Sequence, residues 1–444
     1  MDDKSPGPWA LGGASRWWLH HSLSALSASL SDRGSRLILR RGPVIETVVQ
    51  FARDVGADAL HLSRRYEPFA ACAERNLRSA LASEGVACHR HAATLLVEPE
   101  SVRTGAGAPY KVFTPFHKAI LGLGDPVPPL PAPTRLPAPS SWPESDALDD
   151  WRLAPTAPDW SGGLADAWSP GEEGANRRLD AFLEDALADY SGARDRPGRV
   201  GTSRLSPHLR FGEISPRTVW HRIRFAARDV GHEAMAEAFL REIVWREFSY
   251  HLLHHFPHIA DAPFRPEFEA FPWADDDAAL TRWQRGITGY PVVDAGMREL
   301  WATGWMHNRV RMIVASFLVK DLMIPWQRGA AWFWDTLVDA DLANNSANWQ
   351  WVAGSGADAA PYFRIFNPVL QGRKFDAEGT YVRRWVPEIA SLPDRFVHAP
   401  WETPDDIMRK AGVRLGETYP APMVDHGDAR HRALAAFRSL PDRS

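Results

Sequence analysis

The run PVPPLPAPTRLPAP, Pro126 to Pro139, cannot be threaded through a helix or the middle of a sheet. Proline has no N–H to donate and its ring fixes φ, so a run this dense is extended. The stretch from Leu121 to about Pro170 therefore reads as an interdomain linker, and it separates two parts of different pattern. Before it, the strand-like runs SRLILRR (Ser35 to Arg41), ADALHLS (Ala57 to Ser63) and GVACHRHAATLLVE (Gly85 to Glu98) alternate with helical stretches at about Ala14 to Leu30, Val44 to Val55 and Phe69 to Ser83. That alternation argues βαβ units and a parallel sheet. After it, helical periodicity dominates, and no internal repeat is visible. The expected domains are an α/β domain over residues 1–120, the linker over 121–170, and a larger all-α domain over 171–444.

A chain of 444 residues can bury a sizeable core. No apolar run reaches the roughly 18 residues of a membrane span, and the N-terminus lacks the charged-then-apolar pattern of an export signal. A cytoplasmic protein without membrane contact is expected. Two cysteines, Cys72 and Cys88, cannot build a disulfide framework or a four-thiolate cluster, and no metal site is expected. The net charge of −4 means that binding to nucleic acid must come from one basic face. Twenty tryptophans are several times an ordinary share, and electron transfer or stacking on a flat ligand would use them.

The most unusual stretch is DADLANNSANWQW, Asp339 to Trp351. Asp and Asn compete with helical backbone for hydrogen bonds, and two close tryptophans bring two indole N–H groups that need partners when buried. The composition suits the wall of a site for a flat, polar-edged ligand. On local grounds a tryptophan-rich core turn with a capped helix start accounts for it equally.

Beyond this point the chain resembles the DNA photolyase and cryptochrome family, and within it the class I cyclobutane pyrimidine dimer photolyases. The resemblance rests on YKVFTPF (Tyr110 to Phe116), GTSRLSPHLRFGEISPR (Gly201 to Arg217), WREF (Trp245 to Phe248), TGYPVVDAGMRELWATGWMHNRVRM (Thr288 to Met312), DADLANN and GADAAPYFRIFNP (Gly356 to Pro368), in the family's order and spacing. It implies a Rossmann-like antenna domain followed by a helical FAD-binding domain. Family members open with a strand and helix carrying an FRRDLR-like motif, and this sequence begins beyond it, so an incomplete or rearranged sheet is expected. Folate-binding members carry an Asn-Glu pair after the positions matching Tyr66-Glu67. Phe69 and Ala70 stand there and cannot bond a pterin, which disfavours folate and leaves a deazaflavin antenna, a flavin antenna or none.

Other roles follow from the resemblance residue by residue. Thr202, Ser203, Arg204, Leu205 and Ser206 match the FAD phosphate segment, with Tyr190 beside it and Arg194 at a DNA-contacting position. Glu242, Trp245, Arg246 and Ser249 fall at i, i+3, i+4 and i+7, on one helical face. In the family Glu242 hydrogen-bonds the lesion, Trp245 packs on it, and Arg246 and Phe239 lie at the flavin. Trp305, Asn308, Arg309 and Met312 read as a second stripe. Asn308 and Arg309 are implied to contact flavin or DNA, Met312 the lesion, and Arg311 an acid such as Asp339. Asp341 would hold the polar edge of the flavin ring, Asn345 would face its N5, and Trp351 would be the second wall against the lesion. His307 reads as structural.

The (6-4) photolyases place histidines at the positions of Asn308 and Met312, because their chemistry moves a proton to the lesion. Their absence, with Glu242, Trp245, Met312 and Trp351, matches cyclobutane dimer repair, a carbon–carbon lyase reaction driven by blue light through reduced FAD. Trp349, Trp326 and Trp273 match the family's tryptophan chain for reducing the flavin. Arg194, Arg204, Arg309, Arg373 and Lys374 offer a cationic face for UV-damaged DNA. A monomer without an obligate protein partner is expected. The alternative is a blue-light receptor of the cryptochrome type with the same fold and flavin.

Overall fold

Two strands, β1 (Ala59–Ser63) and β2 (Ala87–His91), pair in parallel with Ala59 opposite Ala87 and Ser63 opposite His91. The computed structural model describes residues 1–228, 231–358 and 363–441, so residues 359–362 of the GADAAPYFRIFNP motif lie outside the described residues. Between the strands runs helix α3 (Pro68–Ser83), and α2 (Val44–Asp54) precedes them. Their core joins Ala52, Leu77, Leu81 and Val86, with Leu60, Leu62 and Cys88 packed against it. Alternation does the sorting: Leu60 and Leu62 turn to the helices, while His61 turns away and stacks on His89 and His91. This is the expected α/β pattern, with the long helix α1 (Gly13–Asp32) ahead of it.

One expected strand segment is not a strand, and another is shorter than its composition suggests. Ser35 to Arg41 is extended, but its neighbour is the proline-rich linker. Leu39 donates to Ser145 Oγ at 2.9 Å and accepts from Asp146 N at 2.8 Å, and Leu136 N donates to Arg33 O. A partner so rich in proline cannot supply a ladder of N–H groups. The second strand stops at His91, because the amides of Leu96 and Val97 donate to the Glu247 carboxylate, at 2.9 and 3.3 Å.

By compactness the chain forms two units: Met1–Asp185, Ser203–Pro257 and Val338–Asn344 make one, and Ala186–Thr202, His258–Leu337 and Asn345–Ser444 the other. They interleave along the sequence and are thus a different partition from the three sequence domains.

Beside the small sheet, the first unit is organised on the helix Glu233–His255, whose second half is buried nearly all round, including the polar residues Glu247, Ser249 and His251. Helix α4 (Phe113–Gly122) lays Phe113 on Trp245 and Phe116 on Phe248. Trp18 of α1 donates from Nε1 to Glu213 Oε1 at 3.0 Å, and Glu213 also holds His208 Nδ1 at 2.5 Å.

The second unit is helical, as expected. The TGYPVVDAG motif builds a helix start there. Buried Asp294, in the first turn of Pro291–Thr303, accepts from Thr288 N, Thr288 Oγ1, Gly289 N and Tyr419 OH at 2.6–3.0 Å. Gly289 has φ +82°, and a Cβ there would lie 2.4 Å from Ala421 O, so glycine is required. Among the described residues, no helix is long and apolar enough to cross a membrane.

Candidate functional site

The segment Gly201 to Ser206 turns sharply. Gly201 lies so close to Ala193 that a Cβ would come within 2.6 Å of it. Arg204 adopts φ +50°, one of three non-glycine residues in the left-handed region among the described residues. Such strain collects where a backbone is shaped for a ligand. In the first unit the next residue but one, Ser206, donates from Oγ to Asp339 Oδ2 at 2.6 Å and so joins two of the candidate cofactor residues. In the second unit Tyr190 is buried, with the Arg194 guanidinium 5.3 Å over its ring.

On the helix Glu233–His255, Phe239 is buried against Phe182, with ring centroids 4.7 Å apart. Glu242, Trp245 and Arg246 follow, each half-buried. The Arg246 guanidinium donates through Nη1 to Thr94 O at 2.8 Å and lies 4.8 Å over the Tyr250 ring, while its buried Nη2 has no partner among the described residues. An orphaned guanidinium N–H in a buried setting costs free energy unless an acceptor meets it, and flavin carbonyls or phosphates are such acceptors. These residues therefore fit FAD. Ser249, on the same face, donates back to Trp245 O at 3.1 Å.

Asp341 is buried and accepts from Tyr250 OH and from N and Nδ2 of Asn344, the last two at 2.8 Å. The helix Leu342–Ala353 then carries Asn345, Trp349 and Trp351. Asn345 donates from Nδ2 to Ala330 O at 3.0 Å. Gln350, between the tryptophans, accepts from Phe264 N at 2.7 Å and donates to Ile259 O and Ala262 O at 2.8 Å. It pins the helix.

The stripe expected over Trp305 to Met312 is shorter than its spacing suggests. Gly304 ends the preceding helix with φ +66°, and the next helix begins only at Asn308, so buried Trp305 is not on it. His307 caps that helix, its Nδ1 accepting from Arg309 N at 3.1 Å, which agrees with a structural role. Asn308 is exposed and Met312 half-buried. Arg309 pairs with Asp195 at 2.8 Å and lies 4.4 Å over Phe375. Arg311 donates from Nε to Met306 O at 2.8 Å.

Of the three chain tryptophans, Trp349 and Trp326 are buried and Trp273 is partly so. Trp349 meets Phe333 and Trp283 edge-on, and Trp273 packs on Phe271 at 4.3 Å. No ring of the three touches another of the three among the described residues. Trp349 lies against Gly329, where a Cβ would come within 2.1 Å of its Cη2.

Sequence reasoning missed Tyr250, Glu247 and Phe113. The only signals were a tyrosine and an acid inside an aromatic helix, and the second aromatic of YKVFTPF. Among the described residues no group of three or more His, Cys, Asp or Glu could hold a metal ion.

The FAD binding domain of DNA photolyase matches residues 239–439, and the DNA photolyase domain matches residues 1–135. The chain is 51% identical to the deoxyribodipyrimidine photo-lyase of Agrobacterium fabrum, over 99% of this chain and 91% of that one. It is 38% identical to cryptochrome-1 of Arabidopsis thaliana, over 98% of this chain and 65% of that one. The crystal structure of a class III photolyase from Agrobacterium tumefaciens superimposes with a TM-score of 0.95 at 51% identity, covering 99% of this chain and 90% of that chain. That relative is described as class III, where the sequence reading points to class I. With this identity over nearly its whole length, the chain belongs to the DNA photolyase and cryptochrome family.

Proposed function

We propose that this protein is a deoxyribodipyrimidine photo-lyase that splits cyclobutane pyrimidine dimers in UV-damaged DNA under blue or near-ultraviolet light. Likeness to photolyases over nearly the full chain supports the reading, and one observation carries it to the residues: Trp245 is held flat against Phe113, one turn from Glu242. Bound in its reduced form, FAD supplies on excitation the electron that enters the dimer and is recovered once both ring bonds have split.

The chain's part is to bind, orient and exclude water. Thr202, Ser203, Arg204, Leu205 and Ser206 hold the cofactor phosphates with Tyr190, and Phe239, Arg246, Asn308, Arg311, Asp339, Asp341 and Asn345 hold the rest. The lesion leaves the base stack to reach the site; photolyases are among the standard examples of base flipping, at a cost of a few kcal/mol that is least for a damaged base. Stacking on Trp245 and Trp351 returns about 1–3 kcal/mol per base, enough to balance that cost. Met312 packs on the lesion, Glu242 hydrogen-bonds its polar edge, and Arg194, Asn308 and Arg309 meet the DNA. Trp349, Trp326 and Trp273 relay electrons to an oxidised cofactor. The antenna remains a deazaflavin, a flavin or none, since Phe69 and Ala70 give a pterin nothing to bond.

The test is recovery of ultraviolet absorbance by irradiated oligothymidine mixed with reduced protein, in blue light and in darkness. Recovery only in light is the expected result. No recovery from protein that holds FAD would favour the light-receptor reading instead.

A further inference from the structure

Three donors of the protein's own hold the Asp341 carboxylate. Tyr250 OH donates to Oδ2, and Asn344 N and Nδ2 donate to Oδ1, each at 2.8 Å. Both partners are deeply buried, Asp341 at 8% and Tyr250 at 4% exposure. The tyrosine has little freedom. Arg246 lies 4.8 Å over its ring, and Tyr66 meets it edge-on with centroids 5.5 Å apart. Each clamp is anchored in turn, Arg246 on Thr94 O and Tyr66 through its hydroxyl on Glu98 at 2.8 Å. On the backbone side, Arg210 donates from Nε to Ala340 O at 2.7 Å and stands 3.8 Å from Glu67. The Tyr66-Glu67 pair, which the sequence ties to the antenna, thus takes part in fixing Asp341.

A carboxylate offers about four acceptor positions and no donor. Among the described residues three are filled from within the protein, and the one remaining can be met only by an N–H or O–H group.

We propose that Tyr250 is a positioning residue for FAD: its hydroxyl fixes the plane of the Asp341 carboxylate, so that the remaining acceptor position is offered to an N–H of the bound cofactor ring. The inference rests on the assignment of Asp341 to the flavin made above. Burial, reinforced by the Asp341 charge, pushes the Tyr250 hydroxyl well above the ordinary tyrosine range, so it stays a donor at any working pH.

Release of FAD from purified holoprotein, followed by the fluorescence of freed flavin on dilution, tests this together with the fine structure of the bound oxidised absorption band. Wild type, Tyr250→Phe, Asp341→Asn and the double variant are compared. Tyr250→Phe should weaken FAD binding about tenfold, because it leaves a buried charged acceptor short of a donor, and should blur the band. The double variant should bind no worse than Asp341→Asn, because the tyrosine acts through that carboxylate. Wild-type affinity and spectrum in Tyr250→Phe, or losses that simply add, would overturn the proposal. Should Tyr250→Phe not fold, Asn344→Ala removes a donor from the other oxygen, and additivity of its loss with Asp341→Asn overturns the proposal equally. Wild-type protein that retains no FAD would instead refute the cofactor reading itself.

Discussion

Phe113 and Trp245 lie face to face, with ring centroids 3.5 Å apart and planes 5° from parallel. One comes from a short helix near the linker and the other from the long buried helix, so the stack fixes an indole that no local rule would fix. One indole face is covered, and a base can stack only on the other. Phe113→Leu keeps the apolar volume but loses the flat support, worth about 1 kcal/mol in aromatic pairs. Affinity for a dimer-containing oligonucleotide should fall severalfold, with binding to undamaged DNA unchanged. Equal losses on both DNAs would mean that the stack serves the fold alone.

Glu242→Ala addresses charge stabilisation on the lesion. Loss of a hydrogen bond to a charged group costs about 1.5–3 kcal/mol, and the dimer radical anion is the charged state at issue. Dimers repaired per photon absorbed should drop clearly at saturating DNA. An unchanged yield would remove Glu242 from that role.

Light-driven reduction of oxidised flavin should depend on Trp273 without repair depending on it. Trp273→Phe is expected to slow photoreduction while pre-reduced protein repairs as before. Gly329→Ala should slow photoreduction as well, because the added methyl displaces Trp349. Repair lost in the pre-reduced Trp273 variant would show a structural role for that residue.

Glu247 should make stability depend on pH. Burial pushes its carboxyl up to about 7 against the pull of Arg246 and of the Leu96 and Val97 amides. Below about pH 4.5 folded and unfolded chains both carry the proton. Between about 4.5 and 7 only the folded chain keeps it, so stability falls as pH rises through that window, by roughly 3 kcal/mol in all. Glu247→Gln retains an acceptor for the two amides and should flatten this slope, raising Tm at pH 8 more than at pH 5. A Tm gain independent of pH would contradict it.

Lys320 should act with the opposite sign. It is buried beside the Phe363 ring with Ala353 O as acceptor at 2.8 Å, and burial holds its amine well below the ordinary lysine value. Between its lowered folded value and about 10.5 the unfolded chain binds the proton and the folded chain does not, so stability rises with pH through that window. Lys320→Met should raise Tm at pH 7 by removing a buried amine, and the gain should fade by pH 10. The same gain at both pH values would place the effect in packing.

Helix positions in the first 100 residues were legible because apolar spacing and the turn residues agree there, as in Val44–Asp54 and Pro68–Ser83. Ser35 to Arg41 misled because β-branched and apolar composition cannot say whether a neighbouring strand exists. Trp305 misled because a glycine in the left-handed region breaks a helix whose side-chain spacing looks continuous. In the candidate site, the residues in long motifs could be named in advance. Tyr250 and Phe113 could not, since each acts by touching a residue distant in sequence, and no single sequence reports such a contact.

The proline-rich segment is more than a tether. Leu136 and Asp146 bond to the backbone of Arg33 and Leu39, Arg33 Nε donates to Pro133 O at 3.2 Å, and Arg40 Nε donates to Glu144 O at 3.1 Å. Two fastened ends enclose a short exposed bridge around Pro139. A single proteolytic nick there would leave both cut ends strapped to the residues that follow the first long helix, and the severed protein should run as one particle on gel filtration while showing two bands in denaturant.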